Sequence, residues 1–173
     1  MGEHVAMHHQ PDGPAFDVVL LLHVGCVLSG LVTTTTAAAT ASRLRRLIRT
    51  SAPLPEPLRR YFRPGVNWAG RSMYGIPVFG FALLAMSQGA YALGDGWVLA
   101  GLGLFVVIAL LAEGVLWPAE RRLQPALGSI EREAGDHLSG ANDLARDAET
   151  MARAARAVLA LLVIGVVLMI AQP

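Results

Sequence analysis

The chain has 173 residues, 54% of them hydrophobic and 16% charged, with a formal net charge of +1. Ser72 to Leu93, Trp97 to Ala112 and Ala157 to Pro173 carry no charged side chain, and from Val18 to Ser42 the one ionisable group besides a thiol is His23. Four such stretches leave too little polar material to coat a soluble globule, and each is close to the about 20 mainly apolar residues that a helix needs to span the hydrocarbon. The single cysteine, Cys26, excludes an intramolecular disulfide.

The expected fold is all-α, an integral membrane four-helix bundle with both termini outside the cytoplasm. The basic residues, all arginine, number 14. They fall between the first and second apolar stretches (Arg43 to Arg71) and between the third and fourth (Arg121 to Arg156). Basic connections stay in the cytoplasm during insertion, so this placement predicts an N-out, C-out arrangement. Arginine in place of lysine, with abundant Ala, Gly, Leu and Val, points to a GC-rich bacterium and hence to its plasma (inner) membrane.

Residues 1–16 read as an extracytoplasmic tail and 17–173 as one membrane domain. The tail has no positive charge, so the first apolar stretch is not expected to be a cleavable signal. With the initiator methionine removed, Gly2-Glu3-His4 offers square-planar nitrogen coordination of the kind that suits Cu(II) or Ni(II). His8 and His9 lie just beyond. The alternative is a plain tail with incidental histidines.

The first span is expected over 17–40, with His23, Cys26, Gly30, Thr33 and Ala37 forming one small, polar face turned into the bundle. A cytoplasmic loop comes next, over 41–72. There Leu44, Leu47, Ile48, Leu58, Tyr61 and Phe62 alternate with arginine, which predicts a stretch lying on anionic inner-leaflet lipids rather than on nucleic acid. The second span is expected over 73–93 and the third over 97–117, joined by Gly94-Asp95-Gly96 as an antiparallel hairpin. Trp68, Trp97 and Trp117 fall at the membrane boundaries. The loop over 118–155 carries both signs of charge. Asn142 is a candidate cap for a helix through Leu144, Ala148, Met151 and Ala155, read as a solvated extension of the fourth span at 156–172.

Ionisable groups inside a membrane are costly, which singles out His23 and Glu113. Their depths differ too much for a direct pair. His23 is expected to bond Gln88 or Ser87, or else to serve as an axial ligand with Met169 or Met86 as its companion. Glu113 is expected to accept bonds from Thr33 to Thr36 or from an arginine, on a helical face shared with Trp117 and Glu120. Proton-coupled transport through Glu113 lacks a continuous polar route. The sequence holds no G-x-S-x-G, phosphate loop, H-E-x-x-H or paired-cysteine motif.

Leu20-Leu21-Leu22-His23-Val24 opening a four-span chain with a basic first loop resembles a loose set of bacterial membrane proteins. The set contains predicted integral membrane families without assigned role, the CopD-like copper-resistance proteins and the HemJ-type protoporphyrinogen oxidases. The HemJ-type pattern uses a lysine in a later helix. This chain has none, which argues against oxidase activity. The resemblance carries over His23 alone. Together these features predict a non-enzymatic membrane protein that is an accessory subunit of a larger assembly, with other membrane subunits and the bilayer as partners. The alternative is haem- or copper-linked redox or transport work through His23.

Overall fold

A computed structural model describes residues 13–87, 89–130 and 139–171. Gln88 and the tail histidines His4, His8 and His9 lie outside them. Among the described residues there are helices and no strand, and four helices are long and apolar enough to cross a membrane.

The first helix, α1, runs Pro14–Arg49. Proline at its first turn supplies a fixed φ where no intrahelical donor is needed. At 1.5 Å per residue it is roughly 54 Å long, well beyond the hydrocarbon thickness, so its arginine-bearing end projects from the membrane as continuous helix. Two short helices come after it, α2 (Glu56–Tyr61) and α3 (Trp68–Arg71). Asn67 caps α3, its Oδ1 accepting the Gly70 N–H at 3.0 Å. A tight turn at Ser72–Tyr74 leads into α4 (Gly75–Met86).

The second apolar helix is thus shorter than its composition predicts. Ser87 closes it by donating to the Leu84 carbonyl at 2.7 Å and accepting the Tyr91 N–H at 3.4 Å. Gly89 then takes φ +89°, a left-handed conformation that glycine adopts without strain. The expected three-residue hairpin turn is instead part of a longer connection, non-helical from Gly89 to Asp95. The next helix, α5 (Gly96–Leu111), continues through a π-turn at Ala112–Leu116 into α6 (Trp117–Ile130). The last, α7, spans Ser139–Ala171, so Asn142 lies inside it and is not its cap.

The helices do not pack in sequence order. α1 lies antiparallel along α7 over most of its length, α4 rests on α1, α5 rests on α7, and α4 and α5 make almost no backbone contact. The α1–α7 seam is built from small and larger apolar residues at alternating spacings of four and three. On α1 these are Gly30, Thr34, Ala37, Ala41 and Leu44; on α7 they are Leu144, Ala148, Met151, Ala155, Val158 and Leu162, and all are buried. A 3.5-residue period keeps one stripe facing one partner, as in a coiled coil.

The seam continues past the membrane. Leu58 and Phe62 of the first connection and Ala119, Leu123 and Leu127 of α6 join Leu44, Ala148 and Met151 in one core. Two expectations are corrected here. Leu44, Leu58 and Phe62 are not spread on a lipid surface, and the α7 extension is not simply solvated, because each buries its apolar face against the other. Arg45 Nη2 pairs with Glu149 at 3.4 Å and Arg122 Nε with Asp147 at 3.0 Å, which ties the arginine-bearing ends of α1 and α6 to the start of α7.

Candidate functional site

Within the apolar layer, α4 docks on α1 through a row of close contacts. His23 is 7% exposed and its Nδ1 lies 2.9 Å from the Ile76 carbonyl; a carbonyl only accepts, so Nδ1 carries the proton. Gly80 lies against this ring, where a Cβ would stand 3.4 Å from His23 Cε1, in van der Waals contact. One turn on, the Cys26 thiol fills the space beside Gly75, where any side chain would collide with it. Ser29 and Ser72 share a 2.7 Å hydrogen bond. Small residues permit the approach and polar groups bridge it.

This register corrects one expected partner of His23, Ser87; the other, Gln88, lies outside the described residues. Ser87 is spent on backbone at the end of α4, and His23 bonds Ile76 instead. Counting along α4 from Gly80, which faces the His23 ring, Met86 lies about 9 Å further along the helix axis. Met169 is roughly level with His23, because Gly30 faces Leu162 across the antiparallel seam. No group of three His, Cys, Asp or Glu side chains is assembled among the described residues.

Glu113 also has a different partner from the expected one. Thr33, Thr34, Thr35 and Thr36 each donate to a carbonyl one turn back on α1, at 2.6–2.8 Å, which satisfies their hydroxyls within the helix. The Tyr74 hydroxyl donates to Glu113 Oε1 at 2.9 Å. In an uninterrupted α-helix Glu113, Trp117 and Glu120 would share a face. The π-turn at Ala112–Leu116 inserts an extra residue in the turn and rotates the helix beyond it. Glu113 is therefore exposed, while Trp117 and Glu120 are both 6% exposed and face inward.

At the arginine-rich end these side chains form a connected polar and aromatic layer. The Arg71 guanidinium lies 5.2 Å from the Trp117 ring centre and 6.0 Å from that of Trp68, within cation–π range of both. Tyr74 meets Trp117 and Phe105 edge to face, at 5.8 and 6.2 Å. Asn67 Nδ2 donates to Glu120 Oε1 at 3.4 Å, and Gln124 Nε2 donates to the Gly65 carbonyl at 3.3 Å. Between them lies a partly open cavity of about 60 Å³ bordered by Asn67, Arg71, Trp117, Glu120, Arg121 and Gln124. Beneath it the Tyr61 hydroxyl is buried near the Glu120 carboxylate but outside hydrogen-bond geometry. Burial first, and the Glu120 charge second, push that hydroxyl well above the ordinary tyrosine range.

At the opposite end, Tyr91 and Trp97 meet edge to face at 5.6 Å beside a wide depression of about 660 Å³ that also touches Asp95 and Leu168. Asp95 is turned to its own connection, its Oδ2 accepting the Ala92 N–H at 2.9 Å.

Sequence reasoning singled out His23 and Glu113 but missed Arg71, Asn67, Arg121 and Gln124. The spacing Asn67-Trp68…Arg71 was the available signal, a cap residue with an aromatic–arginine pair one helical turn apart. Comparison with protein-family models, with curated proteins and with solved structures gave no match.

Proposed function

We propose that the chain is a non-enzymatic subunit of a membrane assembly, working by lateral association of its α5 face with other membrane helices. We place it in a bacterial plasma membrane with its arginine-rich end in the cytoplasm, a reading supported by the gathering of arginines at one end of the bundle. The observation that carries the proposal is the outward exposure of Glu113. A carboxylate facing lipid at the end of a spanning helix is costly, and one tyrosine hydroxyl offsets only part of that cost. A neighbouring helix with a donor supplies the remainder. Gly103, Val106 and Leu110 are exposed on the same side at three- and four-residue spacing, and nothing lies within 4 Å of a Cβ built on Gly103. Such a surface admits close approach of a second backbone.

The test is purification in mild detergent, then native electrophoresis and a visible spectrum. A colourless complex heavier than the 18.3 kDa chain is expected, with partners lost in Glu113→Ala. A monodisperse single chain that Glu113→Ala leaves unaltered defeats the reading. So does a stoichiometric Soret band or bound copper that disappears in His23→Ala, which would move the function to metal or haem chemistry.

A further inference from the structure

Five arginines pair with carboxylates among the described residues: Arg45 with Glu149, Arg60 and Arg63 with Glu56, Arg122 with Asp147, and Arg153 with Glu149. Arg71 and Arg121 differ. They border one cavity and neither makes an ion pair among the described residues. Arg71 is held over the Trp117 ring and beside Trp68, which fixes the guanidinium plane and leaves its N–H edges to a ligand. Asn67 and Gln124 brace the walls through their bonds to Glu120 and to the Gly65 carbonyl. Glu120 contributes at most one negative charge against two guanidinium charges, so the cavity is net cationic. At about 60 Å³ it has room for a group of several heavy atoms, since one water takes about 10–15 Å³ of such space.

We infer that this cavity binds the phosphate of an anionic glycerophospholipid from the leaflet at the arginine-rich end. The planar guanidinium groups, that of Arg71 braced by aromatic rings, match the geometry of a phosphodiester. The location selects a lipid over a soluble anion. Tryptophan borders the cavity, and on its apolar side α4 and α5 part with almost no backbone contact. Val78 and Phe81 of α4 are exposed and offer apolar surface to acyl chains, apart from the α5 face left to a neighbouring helix.

The test is native mass spectrometry of the full chain released from detergent micelles doped with phosphatidylglycerol or with phosphatidylcholine. Retention of phosphatidylglycerol is expected to exceed that of phosphatidylcholine and to fall about fivefold in Arg71→Gln and again in Arg121→Gln, in line with the worth of one arginine at an anionic surface. Arg60→Gln, whose guanidinium rests on Glu56, is expected to retain lipid like the parent. Arg121 is exposed, so Arg121→Gln keeps the comparison valid even if Arg71→Gln folds poorly. Equal retention in the two cavity variants and the parent overturns the site. Equal retention of the two lipids overturns its anionic preference. Displacement of the lipid by inorganic phosphate at matched concentration overturns the lipid assignment and gives the cavity to a soluble anion.

Discussion

The arginine-rich half of the bundle and the apolar half are held together differently. Near the arginines, Ala41, Leu44, Ala119, Leu123, Ala148, Met151 and Ala155 are all at most 1% exposed, a core as closed as that of a water-soluble bundle. In the spanning segments, Leu21, Val32, Val78, Leu110 and Ile170 are between 62% and 80% exposed. There the helices meet through polar or small groups: His23 on Ile76, Ser29 on Ser72, Cys26 beside Gly75. Water drives burial in the first half and lipid does not in the second, so large side chains turn inward in one and outward in the other.

The contrast is sharpest in paired truncations. Leu44→Ala, which empties a fully buried site, is expected to cost about 2–5 kcal/mol of stability, against about 0.5 kcal/mol or less for Leu21→Ala, which faces lipid. Thermal unfolding in one detergent reads both, and equal losses would abolish the distinction between halves. Overfilling the seam with Ala41→Leu is expected to cost about 1–3 kcal/mol, because Ala41 has no free space against α7. In the apolar half, His23→Phe removes the tie to Ile76 and is expected to cost about 0.6–1.7 kcal/mol, seen as a lower unfolding temperature. The part-exposed Arg45–Glu149 pair is the smallest contributor, roughly 0.2–1 kcal/mol, and its loss in Arg45→Ala should shrink further with added salt.

Tyr61 adds a pH signature to the closed half. Its hydroxyl is held neutral in the folded state, so its folded pKa lies above the unfolded value of about 10. The folded chain then binds the proton more tightly, and stability is expected to fall as pH rises above about 10. In Tyr61→Phe that alkaline decline should flatten, as monitored by helix content against pH.

The legible parts of the fold were those set by hydropathy and periodicity. Four apolar runs became four candidate spans, the second through Trp68–Met86, and the stripe Leu144, Ala148, Met151, Ala155 is buried along its whole length. Partners were less legible. Whether Leu58 and Phe62 lie on lipid or in a core depends on how far α1 and α7 extend beyond the membrane, and a charged amphipathic stretch looks the same in either setting. The face of Glu113 was misplaced because counting at 3.6 residues per turn fails across a π-turn, for which Ala112–Leu116 carries no clear residue signature. The bond from His23 to Ile76 was hidden because its acceptor is a backbone carbonyl, present at every residue.

The α1–α7 seam also bears on how the protein is made. Ala41 and Met151 sit in one seam, yet α4, α5 and α6 are all synthesised between them. During that interval the alanine stripe of the first helix stands without the partner that will cover it. Assembly is therefore a late event, a closing of first helix on last after the intervening spans have entered the bilayer. Anything that engages the stripe in the meantime, a chaperone or a second nascent chain, competes directly with completion of the fold.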